Sequence, residues 1–125
     1  MEITTELSNE ILPSTILRQQ AKNVTQMFGT LQIDNRLCAL GVITQYIDPN
    51  KTCNPYKLLE YVYRDNPAFQ KVKEQGYVEC PFKNKHNEEY NVSCISELIW
   101  HMNDDHRLNF QEVANELEDV MRRLV

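Results

Sequence analysis

The sequence is poor in glycine, with three among 125 residues, and it contains neither a glycine-rich phosphate loop nor a serine-hydrolase elbow. No apolar run is long enough to span a bilayer. Basic residues are also in deficit, since 13 Lys and Arg stand against 18 Asp and Glu for a net charge of −5. This balance argues against binding to nucleic acid and to anionic membranes, because both require a clustered basic face.

Signals of export and of disulfide bonding are missing as well. The first ten residues, MEITTELSNE, are acidic and lack the basic-then-apolar pattern of a secretion signal. We therefore expect a cytoplasmic protein, in which cysteines are thiols or metal ligands rather than disulfides. The four cysteines are Cys38, Cys53, Cys80 and Cys94.

The dominant feature that is present is helical periodicity. A length of 125 residues fits one domain, and apolar residues recur at spacings of three and four in several segments. This pattern predicts a mostly α fold of five or six helices over residues 13–125, after a loosely held N-terminal arm at residues 1–12. Residues 77–92 alternate imperfectly instead, which predicts a short β-hairpin or flap.

Four helices are predicted before this flap, the last two opened by Asn54-Pro55 and Asn66-Pro67. The first is expected over residues 13–28, with Gly29 as its C-terminal stop. The second is expected from Leu37 to Ile47, with Asp34 or Asn35 as its cap. Because this second helix is apolar nearly all round, it is predicted to be the buried centre of the domain.

The C-terminal stretch is predicted to be two helices joined by a polar turn. Asn109 and Glu112 have the spacing of a capping box at the start of the last helix. The residues that follow place one apolar face toward the core, namely Phe110, Val113, Ala114, Leu117, Val120, Met121 and Leu124. The turn before them, residues 101–106, holds the densest group of metal-capable side chains in the chain.

Cys80, Cys94, His101 and His106 form a candidate metal site, because zinc takes four cysteine and histidine ligands in a tetrahedron. The spacing is a difficulty, since seven residues of continuous helix separate Cys94 from His101 by roughly 10 Å. His86 in the flap is an alternative ligand. The competing interpretation is architectural, with Cys94 a small buried residue and Cys80 a residue of the flap.

The same turn has a second interpretation that does not need the cysteines. His101, Asn103, Asp104, Asp105 and His106 could share a divalent ion or exchange a proton. Short polar side chains of this kind also bind backbone groups in turns. In that case Asn103 closes the first helix, an aspartate ties the turn, and a histidine bridges the two helices.

Two other hypotheses rest on local patterns. Cys38 could pair with His101 or His106 as a thiol–imidazole dyad, although it lies in an apolar run that favours core packing. The segment LNFQEVANELEDV resembles the first half of a helix-turn-helix DNA binder. Such motifs need a following recognition helix with basic or amide side chains, whereas this helix is acidic and the sequence stops at Val125.

A resemblance covers about a third of the chain in two pieces. The turn at residues 101–106, followed by Phe110, Val113, Ala114 and Leu117, resembles the ending of small uncharacterised proteins of tailed phages and of some bacteria and archaea. Cys-Ala-Leu-Gly at residues 38–41 also recurs in such proteins, and Met102 stands here where leucine is usual. The resemblance implies two packed helices around the turn, with the Cys-Ala-Leu-Gly helix nearby, and a phage origin would fit a small accessory or host-directed role.

The leading functional prediction is an accessory or protein-binding module without catalytic activity, acting in the host cytoplasm if it is phage- or virus-encoded. The expected contact residues are Trp100, Asn103, Asp104, Asp105, Tyr77 and Phe82, and further candidate anchors are Tyr56, Tyr61 and Tyr63. The alternatives are a zinc-supported domain or metal-dependent hydrolase at the flap and turn, and a nucleic-acid binder. Homo-oligomerisation through the C-terminal helix is compatible with each.

Overall fold

The structure, a computed structural model, describes residues 11–29, 32–33, 36–82 and 91–125. These parts of the chain form six α-helices and five strands of two residues each. In chain order they are α1 (Pro13–Gln20), β1 (Thr25–Gln26), β2 (Gln32–Ile33), β3 (Arg36–Leu37), α2 (Ala39–Ile47), α3 (Pro55–Val62), α4 (Pro67–Gln75), β4 (Val78–Glu79), β5 (Asn91–Val92), α5 (Ile95–Asp104) and α6 (Phe110–Leu124).

The predicted fold class is confirmed. Helices dominate the described residues, and β4 and β5 pair antiparallel with Val78 opposite Val92. Residues 1–10, most of the predicted arm, and residues 83–90, between the two hairpin strands, lie outside the described residues. The hairpin therefore begins and ends where the alternating pattern placed it.

The first half of the chain departs from the prediction, because a small sheet replaces parts of two predicted helices. Helix α1 ends at Gln20 rather than near residue 28, and β1 pairs in parallel with β3, which pairs antiparallel with β2. Helix α2 begins at Ala39 rather than Leu37, with Cys38 as its N-cap. The predicted caps at residues 34 and 35 lie outside the described residues. A contact from α5, described below, fixes both β1 and the start of α2.

The core is centred on α2, as its composition predicts. Its residues are buried except for Gln45 and Tyr46, and the helix packs against α1, α3 and α5. Helix α6 covers the other side by packing against α1, α4 and α5. Arg18 on α1 reaches Glu118 on α6 at 2.6 Å, which adds a polar contact at the rim of this interface.

The helix starts follow the sequence signals closely. Asn54 and Asn66 each precede a proline and each accept a backbone hydrogen bond from the first turn of α3 or α4. Asn109 and Glu112 form the predicted capping box, with each side chain accepting from the other residue's backbone N–H. Gly76 ends α4 in the left-handed conformation with φ of 84°.

Candidate metal site

Cys80, His101 and His106 converge from two separate parts of the fold. Cys80 follows strand β4 of the hairpin, His101 lies in the last turn of α5, and His106 lies in the turn that follows. One ligand atom from each lies within 4.8 Å of the other two. His106 Nε2 is 3.4 Å from Cys80 Sγ and 3.1 Å from His101 Nε2.

These separations fit the coordination shell of a zinc-type ion. Ligand bonds of about 2.0 Å to nitrogen and 2.3 Å to sulfur, at tetrahedral angles, place two nitrogens about 3.3 Å apart and a nitrogen and a sulfur about 3.5 Å apart. The distances in the protein are within about 0.2 Å of both values. Both separations that involve His106 therefore suit one metal ion, and the third pair, the ligand atoms of Cys80 and His101, lies within 4.8 Å.

Asp105 orients the first of the two histidines. Its Oδ2 lies 2.5 Å from Nδ1 of His101, one helical turn away. Because an ionised carboxylate only accepts hydrogen bonds, we assign the imidazole proton to Nδ1, which leaves Nε2 as the lone-pair nitrogen that faces His106. A carboxylate behind a ligating imidazole is the usual second-sphere partner of a metal-bound histidine. The spacing of four residues between His101 and Asp105 is the sequence signal for this contact, and it was not used in the prediction.

The end of α5 turns the second histidine back onto the first. Asp105 and His106 both donate their backbone N–H to the carbonyl of His101, and Leu108 donates to Met102. Arg107 then adopts a left-handed φ of 55°. This C-terminal turn sets the two imidazole rings edge to face, with their centroids 4.7 Å apart.

The hairpin reaches the turn through two of its residues. The thiol of Cys80 accepts a hydrogen bond from the backbone N–H of Phe82 at 3.4 Å, and the ring of Phe82 packs on His106 with centroids 4.9 Å apart. Cys80 and His101 are buried, whereas His106 and Phe82 are half-buried. Cys80 and His101 thus form the buried side of the cluster, and His106 lies on the side nearer solvent.

The ionisation of these groups disfavours a nucleophilic thiol. Burial, helped by the carboxylates of Asp105 and Glu116, raises the pKa of the Cys80 thiol. Burial and the neighbouring His101 lower the pKa of His106. A neutral thiol beside a neutral imidazole lacks the thiolate–imidazolium character of an activated cysteine. A metal ion would instead displace the thiol proton by binding the sulfur.

Cys94 is not part of this cluster, which corrects the predicted set of four ligands. It is the N-cap of α5, one residue before the helix begins, so the length of the helix separates it from His101. It lines a different cavity, of about 360 Å³, beside Glu60, Arg64 and Lys73. The alternative ligand His86 lies outside the described residues.

The predicted pairing of Cys38 with a histidine is absent as well. Cys38 is 1% exposed and caps α2, where its sulfur accepts from the backbone N–H of Gly41 at 3.4 Å. Burial raises the pKa of its thiol. The structure therefore supports the alternative interpretation, in which this residue belongs to the core.

Asn103 is an internal tie between elements, and this corrects its predicted roles as a helix-closing and ligand-contacting residue. Its side chain is fully buried inside α5. The amide oxygen accepts from the side chain of Gln26 at 2.7 Å and from the backbone N–H of Ala39 at 3.0 Å. The amide nitrogen donates to the carbonyl of Met27 at 2.9 Å and to Asp104 at 2.8 Å. All four of its hydrogen-bonding positions are filled from within the protein.

The other predicted contact residues differ in exposure. Asp104 accepts from the backbone N–H of Gly29 at 2.9 Å, so it ties the turn to the sheet. Trp100 is half-buried against the core, and Tyr77 is 40% exposed. Tyr63, a candidate anchor in the sequence, is fully buried and stacks on Phe69. It therefore belongs to the core.

Comparison with protein-family models, with curated proteins and with solved structures finds no match to this chain. The resemblance to small phage, bacterial and archaeal proteins stays a prediction. Among the described residues, no helix combines the length and the apolar character needed to cross a membrane.

Replacing Asn103 by alanine is expected to lower the free energy of unfolding by about 3 kcal/mol, because the buried carbonyl of Met27 and the buried N–H of Ala39 both lose the hydrogen bond that Asn103 gives them. Urea unfolding followed by circular dichroism measures the change. Gln70→Ala, at an exposed position on α4, is the control and should change stability by less than about 0.5 kcal/mol. Equal effects of the two substitutions would contradict the role assigned to Asn103.

Metal-free protein is expected to lose stability as the pH falls, because the folded state lowers the pKa of His106 from its ordinary value of about 6.5. The unfolded chain then binds the proton more readily, so this contribution is full above the ordinary pKa and is lost as the pH falls through the lower folded value. Unfolding with a chelator present, at several values between about pH 7.5 and 5, measures it. His106→Gln should show a smaller pH dependence, and an unchanged dependence would contradict the assignment.

Proposed function

We propose that the protein is a small zinc-supported accessory module, in which the ion fastens the hairpin to the turn between α5 and α6. The observation that carries the proposal is the convergence of three ligand atoms from two distant segments to within 4.8 Å of one another, with both separations that involve His106 close to those around a zinc ion. The Asp105 carboxylate behind His101 supports it, because such a contact holds the ligating nitrogen in place.

The donor set favours zinc among the common metal ions. One thiolate and two imidazoles are poor ligands for calcium and magnesium, which prefer oxygen, and they suit zinc well. An ion at this site would also stabilise the position of the hairpin. Two strands of two residues each give the hairpin little stability of its own, so a bond from Cys80 to the two histidines would fix it to the helices.

We expect one Zn²⁺ per chain in protein purified without an affinity tag, measured by elemental analysis. Binding at a hundredfold excess over Kd would add about 2.7 kcal/mol to the free energy of unfolding, so chelation should lower Tm by roughly 10 °C. Both measurements use the full chain. The physical reason is that the ion binds the folded site and has no comparable site in the unfolded chain.

The cysteines provide a matched pair of variants for this experiment. Cys80→Ser should lose the ion and the chelator-dependent change in Tm, because it removes the sulfur ligand. Cys94→Ser should retain both, since Cys94 lies outside the cluster. Metal-free wild-type protein that fails to take up Zn²⁺, or equal metal loss in the two variants, would overturn the proposal.

A second proposal concerns the partner that an accessory module requires. We propose that the exposed face of α3 contacts another protein, because Tyr56 and Tyr61 are each 52% exposed there. The guanidinium of Arg64 lies 4.8 Å from the ring centre of Tyr61. Tyrosine and arginine are enriched where binding energy concentrates, and the opposite face of α3 is already anchored in the core by Leu58, Leu59 and Val62.

The double substitution Tyr56→Ser and Tyr61→Ser is expected to reduce recovery of a crosslinked partner protein by about tenfold or more. Its Tm should change little, because both side chains are exposed. Quantitative mass spectrometry of crosslinked extracts measures the recovery. Tyr77→Ser, at the exposed tyrosine beside the hairpin, is the control. A loss of partner in that control alone would move the contact surface from α3 to the hairpin.

A further inference from the structure

A cavity of about 360 Å³ lies between α3, α4 and the start of α5. Its wall includes Gly76, which leads into β4, and Ser93 and Cys94, which follow β5. The cavity is therefore at the end of the hairpin that joins the helices, whereas Cys80 of the metal cluster follows β4 at the opposite end. Binding sites for small molecules have volumes of about 300 to 1,000 Å³, so this α3–α4 cavity has the size of a site for a small ligand.

The floor of the α3–α4 cavity is apolar. Phe69, Val72 and Ile95 line it and are 6%, 4% and 1% exposed. The ring of Phe69 is held in place by stacking on Tyr63, with the ring centroids 5.1 Å apart. An apolar group that contacts this floor is withdrawn from water, and this favours its binding.

Two cationic side chains, Arg64 and Lys73, lie at the rim of the cavity and are exposed. The Nη1 group of Arg64 donates to the carbonyl of Tyr61 at 2.8 Å, and its guanidinium lies 4.8 Å from the ring centre of Tyr61. These contacts hold the guanidinium at the rim, and the hydrogen bond uses one of its five N–H donors. Among the described residues, neither Arg64 nor Lys73 forms an ion pair with a carboxylate. Both positive charges are therefore available to an anionic ligand.

Glu60 is the acidic residue of the cavity wall, and its charge is used within the protein. Its Oε1 accepts from the backbone N–H of Ser96 at 3.2 Å, and its Oε2 accepts from the hydroxyl of Ser96 at 2.6 Å. These bonds hold the carboxylate at the N-terminus of α5, where the helix dipole stabilises negative charge. Two cations against one carboxylate give the wall a net charge of +1, in a chain whose net charge is −5.

We infer that the α3–α4 cavity binds a small organic carboxylate with an apolar body about the size of a phenyl ring on a short chain. The apolar body packs on Phe69, Val72 and Ile95, and the carboxylate binds Arg64 and Lys73 at the rim. The planar guanidinium suits a carboxylate because it can donate two parallel hydrogen bonds to it. Binding is non-covalent and does not involve the metal ion, so the inference goes beyond the proposed function.

Three probes with the same phenylpropyl body test the inference: 4-phenylbutyrate, its neutral amide 4-phenylbutyramide and the cation 4-phenylbutylamine. Each is titrated at about pH 7.5, where the carboxylate and the amine are both charged, into full-length ¹⁵N-labelled protein, and binding is followed by the chemical shifts of the backbone amides. We expect saturable changes at Gly76 and Ile95, which line the cavity, and none at Gly29, which does not. Phenylbutyrate should half-saturate the site at a concentration about tenfold below the other two probes, because hydrogen bonds between charged groups are the stronger ones.

The failures of the inference and of the proposed function are distinguishable. Equal half-saturating concentrations for the three probes would overturn recognition of the carboxylate. Shift changes that leave out Gly76 and Ile95, or no shift changes with any probe, would overturn the cavity as a binding site. Each of these results leaves the zinc content of the protein, and so the proposed function, as it stands. Binding of phenylbutyrate to protein without zinc would uphold the inference alone.

Two lysines on α4 provide matched variants. Lys73→Gln should raise the half-saturating concentration of phenylbutyrate by about fivefold and leave that of phenylbutyramide unchanged, because only the charged probe loses a contact. Lys71→Gln removes the same charge from an exposed position on the same helix that does not line the cavity, and it should change neither value. Arg64→Gln should act as Lys73→Gln does. Equal effects of Lys73→Gln and Lys71→Gln would overturn the assignment of the carboxylate to the cavity rim.

Discussion

The buried amide of Asn103 is the contact on which the rest of the structure depends. It lies inside α5, yet it binds the first strand, the carbonyl of Met27 and the first N–H of α2. A buried amide with one missing partner would cost about 1–3 kcal/mol, so these three segments can occupy only one arrangement around it. Because His101 and Asp105 lie within two residues of Asn103 on the same helix, this contact also fixes the position from which the first imidazole reaches the cluster.

The cluster links this fixed helix to the hairpin of β4 and β5. The hairpin holds only one pair of two-residue strands among the described residues, and Cys80 and Phe82 are the side chains through which it meets the turn. Phe82 packs on the ring of His106, and the sulfur of Cys80 is the hairpin atom that would bind a metal ion. Residues 101–106 thus make two sets of contacts: Asn103 and Asp104 bind the segments around the sheet, while His101 and His106 lie beside Cys80 of the hairpin.

Local chemistry explains which features the sequence could predict. The caps at Asn66 and Asn109 depend on residues within one turn, and the apolar face of α6 repeats over fifteen residues, so both are visible in the sequence. Strands of two residues have no measurable period, and β1 is held by its pairing with β3 and by a side chain 77 positions later that binds Gln26. The same long-range contact moved the start of α2 to Ala39. The convergence of Cys80 with the histidines likewise depends on where the hairpin folds, which spacing alone does not give.

Burial determines which chemistry the three ligand residues can perform. The low-polarity surroundings that raise the pKa of the Cys80 thiol and lower that of His106 keep both groups neutral, and this suppresses a cysteine nucleophile. The carboxylates that further raise the thiol pKa have the opposite effect on a cation, because a negative charge nearby stabilises it. The same arrangement that disfavours acyl transfer by the thiol would therefore favour a metal ion, whose charge would supply the free energy to remove the thiol proton.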